Sequence, residues 1–269
     1  KIAANIAEIL EMEEVASKYK TKATEISGAV NHHFYNPNNY TYIDSRQTHL
    51  VLPLIAGVVP ENDISKVETK LKEEILVSQD GHFDTGIHGT YFLVKYLTKK
   101  NNQDLLYTLT SQTTYPSYGE IIERGEITWP EYWSECNSRV HGCLNGIGGW
   151  FQRGILGIQP DPKKVGYKEF IVRPAFHDSL QWAKGHHVSP YGNINVSWKK
   201  TDKIYSLELT VPDNTTATVF IPVKVGSDIW ENNKPIASAK EIRLLGFKNN
   251  IAELKIGSGT YQFKVVRAK

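Results

Sequence analysis

The residues best suited to chemistry lie between Tyr115 and Trp150, where aromatic and acidic side chains occur together. The segment 120–133 reads Glu-Ile-Ile-Glu-Arg-Gly-Glu-Ile-Thr-Trp-Pro-Glu-Tyr-Trp and fits neither an amphipathic helix nor an amphipathic strand. This mixture suits sugars, because a pyranose ring stacks on an indole while carboxylates accept hydrogen bonds from hydroxyls and transfer protons. The same composition is also typical of an aromatic mini-core whose acids face water, and both interpretations remain open at this point.

A second candidate is the segment 82–90, which reads His-Phe-Asp-Thr-Gly-Ile-His-Gly-Thr and forms a turn before a predicted helix. Asp84 and Thr85 are either binding residues or caps of that helix. His82 and His88 lack the spacing to further ligands that zinc sites have. Since the sequence also contains no Gly-rich phosphate loop and no Gly-x-Ser-x-Gly elbow, we predict neither a metal nor another cofactor.

The elements that must position these residues are helices in the first part of the chain and strands in the second. Apolar residues recur at helical spacing from Ile2 to Phe34, and further helices are predicted at about 46–57, 63–78, 88–99, 102–112 and 142–156. After residue 160 the period changes to two, which predicts strands at 193–198, 205–211, 217–221, 241–245, 251–256 and 260–265. We therefore predict six or seven helices in a domain over 1–158 and roughly eight strands in an antiparallel β-sandwich over 159–269.

Composition narrows the class of protein further. The 269 residues include 31 Lys and Arg and 29 Asp and Glu without a long run of one sign, which argues against a nucleic-acid partner. No apolar run approaches the roughly 20 residues that span a bilayer, so we predict a soluble protein without a membrane contact. Cys136 and Cys143 are predicted to be free thiols, and they leave open whether the protein is cytoplasmic, periplasmic or secreted. The chain begins at Lys1 within a helical pattern, which predicts that it is part of something longer.

Several of these segments, in this order, resemble the bacterial α-L-rhamnosidase family. Thr128-Trp-Pro-Glu-Tyr-Trp133 is similar to the family's Thr-x-Trp-Glu-x-Trp motif, although Pro130 here separates the first Trp from the Glu. The turn at 82–90 is similar to the family's Thr-Gly-x-x-Gly-Thr turn, and Ser138-Arg-Val-His141 to its Ser-x-x-His stretch, which here follows the Glu at a shorter distance. Further similarities cover nearly the whole chain and include Tyr115–Gly119, Gly146–Trp150, Val172–Pro174, Pro190–Gly192, Val211–Ala217 and Gly257–Tyr261.

The resemblance implies a fold and an activity. It implies that residues 1–158 form the C-terminal half of an (α/α)6 barrel and that the β-sandwich follows. The implied reaction is inverting hydrolysis of a terminal α-L-rhamnoside, with Glu131 as general base and the general acid on the N-terminal remainder of the same enzyme. His141 is then expected to hydrogen-bond a sugar hydroxyl, Trp129 or Trp133 to form an apolar wall for the C6 methyl, and Asp84 and Thr85 to line the rim.

The expected partners are thus rhamnose-containing glycosides or polysaccharides and the rest of the enzyme, and the isolated chain is expected to be inactive. Two alternatives remain at this stage. One is another (α/α)6-barrel glycosidase or a glycoside phosphorylase, which would need an anion site that the sequence does not display. The other is a non-catalytic carbohydrate-binding fragment, in which Glu131 and the tryptophans serve affinity alone.

Overall fold

A computed structural model describes residues 1–134, 137–139, 142, 144–162, 164–175, 177–224, 227–239 and 241–266. The chain divides into two compact units. The helical unit comprises residues 1–97 and 105–146, and the β unit comprises residues 98–104 and 147–269. The predicted order of helices followed by antiparallel sheets is confirmed.

Most helices lie close to the positions that the apolar periodicity predicts, but a helix over Tyr118–Glu123 lies in a segment that fitted no amphipathic pattern. The helices are α1 (Ile2–Ile9), α2 (Glu13–Phe34), α3 (Gln47–Ala56), α4 (Ile64–Glu73), α5 (Ile87–Lys99), α6 (Gln103–Thr110), α7 (Tyr118–Glu123) and α8 (Gly146–Trp150). A π-helical segment continues α4 over Glu74–Ser78, and another continues α8 over Phe151–Ile155. The predicted helices at 63–78 and 142–156 are therefore each part α-helix and part π-helix, with the second starting at Gly146 rather than at 142.

Local chemistry explains where α3 ends and where α7 begins. Gly57 follows α3 with φ of 62° and ψ of 43°, the left-handed conformation that glycine adopts at low cost after a helix. Ser117 precedes α7, and its hydroxyl accepts a hydrogen bond of 3.0 Å from the Glu120 amide. Ser117-Tyr-Gly-Glu120 is thus a Ser-x-x-Glu sequence of the capping-box type, although the structure records only the serine half of the box.

One apolar stripe lies outside the core. On α1, Ile2, Ile6 and Ile9 are exposed while Ala4 and Ala7 are the buried residues. By contrast, α5 buries its regularly spaced Leu93, Val94, Tyr96 and Leu97. Helical spacing of apolar residues therefore identified both helices correctly, but only in α5 do those residues contribute to the core of this unit. A pair of two-residue strands, β1 (Tyr35–Asn36) and β2 (Thr41–Tyr42), follows α2.

The β unit contains two sheets that share one core. Their strands are β3 (Ile158–Pro160), β4 (Glu169–Val172), β5 (Trp182–Ser189), β6 (Gly192–Lys200), β7 (Ile204–Val211), β8 (Thr216–Pro222), β9 (Ile229–Glu231), β10 (Lys234–Pro235), β11 (Ile242–Lys248), β12 (Ile251–Ile256) and β13 (Gly259–Val266). The six-stranded sheet has the order β10-β9-β13-β7-β6-β5, and the five-stranded sheet has the order β11-β12-β8-β4-β3. Neighbouring strands are antiparallel except for β4 and β8, which are parallel.

Buried side chains alternate with more exposed ones along the strands, and the buried ones form the core between these two sheets. On β7, Tyr205, Leu207, Leu209 and Val211 are buried, and the residues between them are half-buried or exposed. The buried Trp198 of β6 donates its indole N–H to the Ile155 carbonyl at 2.8 Å. Period-two patterning thus predicted most of the long strands, but it missed the eight-residue β5, in which Ala183, Gly185 and His187 do not form a row of large apolar residues. Strands of two to four residues are too short to show the pattern.

Within the described residues, no helix is both long and apolar enough to cross a bilayer. Those same residues include no group of three or more His, Cys, Asp or Glu side chains arranged to hold a metal ion.

Candidate active site

The turn before α5 is fixed to the start of α3 by the Gln47 side chain. Gln47 is fully buried, and its amide nitrogen donates to the His82 carbonyl at 2.7 Å. Its amide oxygen accepts from the Asp84 backbone N–H at 3.3 Å, and its own backbone N–H donates to Asp84 Oδ2 at 3.3 Å. The Asp84 carboxylate therefore satisfies the first residue of α3, an amide that has no partner within that helix.

Asp84 is a half-buried carboxyl with an unusual environment. Burial raises the pKa of Asp84 above its ordinary value, the bond from the Gln47 amide opposes this rise, and the nearby Glu74 carboxylate adds to it. Its Oδ1 is buried and has no hydrogen-bond partner among the described residues. A buried carboxylate oxygen without a partner is costly, so this atom favours either a proton or a donor from a bound molecule.

Thr85 is enclosed within the unit. It is buried, and its hydroxyl shares a hydrogen bond of 2.7 Å with the Thr90 hydroxyl. Gly89 packs against it so closely that a Cβ at Gly89 would lie 2.1 Å from Thr48 Oγ1 and 3.0 Å from Thr85 Cβ. The predicted rim position of Thr85 stays a prediction, and the described contacts of its hydroxyl and carbonyl are within the protein.

Four aromatic rings pack together beside this turn. Trp133 stacks on Phe83 with ring centroids 5.1 Å apart and contacts Tyr118 edge-on at 5.2 Å. Trp129 joins the group through an edge-on contact with Tyr118, with ring centroids 5.0 Å apart. The Tyr118 hydroxyl donates to the Leu144 carbonyl at 2.7 Å, and burial raises the pKa of this phenol above its ordinary value. The aromatic mini-core that the composition suggested is therefore present.

Hydrogen bonds fix Trp133 from two directions. Its indole N–H donates to the Thr85 carbonyl at 2.7 Å, across 48 residues of sequence. Its own carbonyl accepts from the Arg124 guanidinium at 2.9 Å, and Arg124 also forms an ion pair of 3.1 Å with Glu120. Only 8% of Trp133 is exposed, whereas Trp129 is half-buried. Of the two predicted wall residues, Trp129 therefore presents more of its surface to solvent.

Glu131 lies between these two tryptophans. Its backbone N–H donates to the Ser138 carbonyl at 3.0 Å, which closes the loop after the motif, and its side chain is half-exposed. His141, predicted to contact the sugar, lies outside the described residues, as do Cys136 and Cys143.

Three further acids lie within the eleven residues before Glu131 in the sequence. Glu126 is an ion-pair partner of Arg139, and only 13% of its side chain is exposed. Glu120 pairs with Arg124, and Glu123 is exposed on α7. Glu120 and Glu126 thus each form an ion pair with an arginine.

Sequence reasoning did not identify Gln47, Arg124 or Phe83 as part of this arrangement. Gln47 lies 35 residues before His82, and no local pattern signals a contact at that distance. Arg124 carries a weak signal, since it lies four residues after Glu120 on a helical segment.

Comparison with known proteins defines the class. Residues 1–155 match the family model of the bacterial alpha-L-rhamnosidase six-hairpin glycosidase domain, and residues 157–234 match that of the bacterial alpha-L-rhamnosidase C-terminal domain. Both are domains of glycoside hydrolases. Because the first match alone covers more than half of the sequence, the chain belongs to the bacterial α-L-rhamnosidase family.

Relatives and solved structures agree with this assignment. An alpha-L-rhamnosidase of Formosa agariphila is 29% identical over 98% of this chain. The structure of an alpha-L-rhamnosidase from Dictyoglumus thermophilum superposes with a TM-score of 0.87 at 28% identity over 98% of this chain. A Streptomyces avermitilis alpha-L-rhamnosidase, solved with L-rhamnose, gives a TM-score of 0.84 at 25% identity over 97%. The chain spans only 29%, 30% and 25% of the length of these three proteins, respectively.

Proposed function

We propose that this chain is the part of an inverting α-L-rhamnosidase that carries the general base, and that Glu131 is that base. One observation carries the proposal: Glu131 lies on a short segment whose flanking tryptophans both belong to the packed aromatic group. Packing of both tryptophans restrains the backbone that carries Glu131, which favours a base that must align one water molecule. Membership of the α-L-rhamnosidase family supports the assignment of rhamnose as the sugar that is released.

In the proposed reaction the carboxylate of Glu131 accepts a proton from water as the water oxygen bonds to the anomeric carbon. The glycosidic bond breaks, and its oxygen leaves with a proton from the general acid. An inverting enzyme needs the two carboxyl groups about 6.5–9.5 Å apart to hold that water. The acid belongs, in this proposal, to the N-terminal remainder of the enzyme, so the chain alone hydrolyses very little.

The remaining predicted residues have supporting roles in the same proposal. Trp129, which is half-buried, forms the apolar wall for the C6 methyl, and Trp133 is linked to it through Tyr118, which both tryptophans contact. His141 hydrogen-bonds a sugar hydroxyl. Asp84 lines the rim through the buried Oδ1 that lacks a protein partner, and Thr85 positions Trp133 through its carbonyl. The substrates are rhamnose-containing glycosides or polysaccharides.

The test is Glu131→Gln in the complete enzyme, with Glu126→Gln as the matched control. Turnover of an aryl α-L-rhamnoside should fall about 10²–10⁴-fold in the first variant while substrate binding is retained, because an amide cannot accept a proton from water. Glu126→Gln should keep most of the activity, since the Glu126 carboxylate pairs with Arg139. Near wild-type turnover in Glu131→Gln would assign the base elsewhere, with Glu126 and then Glu123 as the next candidates.

Proton NMR of the first product anomer tests inversion of configuration. Initial release of α-L-rhamnose would exclude an inverting mechanism.

A further inference from the structure

The outer face of the six-stranded sheet carries an exposed tryptophan beside lysines. Trp182 opens the edge strand β5, and 65% of its surface is exposed. Its direct partner across the strand pair is Lys199 of β6, and two residues further along β5 Lys184 pairs with Ser197. Residues two apart on a strand share a face of the sheet, so these four side chains lie on one surface.

The same surface continues over the next two strands. Lys199 pairs with Ser206 of β7, which pairs with Lys264 of β13, and Ser197 pairs with Glu208, which pairs with Gln262. Two parallel rows of side chains, all polar except Trp182, therefore cross four strands, a width of about 14 Å. An open depression of about 510 Å³ on this surface is lined by Trp182, Lys184, Ser197, Lys199, Ser206 and Glu208. We refer to this surface as the tryptophan–lysine face.

Charge on this face is unbalanced. Three lysines (Lys184, Lys199 and Lys264) accompany one acid, Glu208, although the whole chain carries only +2. Among the described residues, none of these three lysines forms an ion pair, whereas Lys255 on the other sheet pairs with Glu169 at 2.8 Å. Unpaired lysines beside a depression attract an anionic ligand.

We propose that the tryptophan–lysine face binds a saccharide that carries carboxylate groups. The exposed indole of Trp182 offers a flat apolar surface for the C–H face of a sugar ring. Lys184 and Lys199 offer cations for sugar carboxylates. Ser197, Ser206 and Glu208 offer hydrogen-bond partners for sugar hydroxyls. A phosphate chain suits the face less well, because it offers no hydroxyl that could donate to Glu208, which lies in the middle of one row.

This inference goes beyond hydrolysis of a rhamnoside. It concerns a ligand that the β unit holds by itself, and no residue of the helical unit takes part in it. Such binding would keep an acidic polysaccharide attached to the protein between catalytic events. It does not depend on the role of Glu131, and its test reads binding rather than turnover.

The test uses isothermal titration calorimetry of the full chain with polygalacturonate at low salt. A highly methyl-esterified polygalacturonate of the same length serves as the uncharged counterpart. We expect the charged polymer to bind about tenfold or more tightly than the ester. Trp182→Ala should weaken binding about tenfold, as removal of a central aromatic contact does. The double variant Lys184→Gln with Lys199→Gln should weaken it similarly and flatten its salt dependence.

The matched control is Phe247→Ala with Lys248→Gln, an exposed aromatic and lysine pair on β11 of the other sheet. It should bind like the unmodified chain. Thermal melts should agree among all the variants, since Trp182 is exposed. Lack of binding to polygalacturonate, equal binding of the two polymers or an unchanged affinity of Trp182→Ala would overturn the proposal. So would tighter binding of single-stranded DNA or of dextran sulphate, which would mean that the face selects phosphate or charge density rather than a carboxylated sugar.

Discussion

Gln47 and Asp84 hydrogen-bond to each other in both directions, 37 residues apart in sequence. The Asp84 carboxylate accepts from the Gln47 backbone N–H, and the Gln47 side-chain oxygen accepts from the Asp84 backbone N–H, each at 3.3 Å. This pair fixes the turn that supplies Thr85, whose carbonyl in turn accepts from the Trp133 indole. The position of the segment around Glu131 thus depends on the first residue of α3.

Replacing Gln47 by Leu should destabilise the helical unit. The substitution keeps the approximate volume but leaves the part-buried His82 carbonyl and Asp84 N–H without their partner. We expect a loss of about 1–3 kcal/mol, measured by urea unfolding followed by circular dichroism. Gln79→Leu is the control, since its amide bonds only the side chain of Glu74 at 3.0 Å. Equal unfolding midpoints for the two variants would show that the Gln47 hydrogen bonds make no net contribution to the free energy of unfolding.

The Asp84 carboxyl should make stability depend on pH. Its pKa is raised by burial in the folded chain, so the folded state binds the proton more tightly than the unfolded state does. The stability that this proton contributes is fully present below the unfolded pKa of about 3.9 and is lost as the pH rises through the higher folded value. Asp84→Asn removes this loss. The stability of the variant relative to the unmodified chain should therefore increase from pH 4 towards neutral pH, and a difference independent of pH would contradict the assignment.

Trp133→Phe tests the bond between the tryptophan segment and the turn. Phenylalanine can still stack on Phe83, but it cannot donate to the buried Thr85 carbonyl. We expect a loss of about 1–3 kcal/mol in the free energy of unfolding. In the complete enzyme we also expect lower turnover, because Glu131 lies two residues away. Trp182→Phe, on an exposed indole, should change stability by less than about 0.5 kcal/mol. Comparable losses in both variants would mean that ring size rather than the hydrogen bond matters.

Gly157→Ala tests a close approach in the β unit. Gly157 has φ of 76°, and a Cβ there would lie 2.2 Å from the backbone of Arg173 and Pro174. The left-handed conformation alone costs a non-glycine residue about 1–2 kcal/mol, and the backbone contact should add to that. Gly246→Ala is the control, since its Cβ would meet no atom within 4 Å. A thermal melt that shows little change for Gly157→Ala would mean that the backbone there rearranges at low cost.

The sequence determined the local structure of much of this protein. Strand β12 was predicted at its observed bounds, 251–256, because Ile-Ala-Glu-Leu-Lys-Ile alternates between a buried and a partly exposed face. Helix α7 was not predicted, although Ser117 caps it with a local Ser-x-x-Glu spacing that is visible in the sequence. Such features depend on residues a few positions apart, and the same is true of the motif around Glu131 that carried the resemblance to the family.

Only the tertiary structure decided which distant segments meet. Nothing in the local pattern of β4 and β8 indicates that they pair in parallel, because pairing direction depends on how the intervening chain returns. Nor does any pattern connect Gln47 with Asp84, or Trp133 with Thr85. A buried polar side chain must find a partner, but which partner it finds is set by the packing of whole elements around it. The family motif around Glu131 was therefore readable from the sequence, whereas the contacts that hold that segment in position were not.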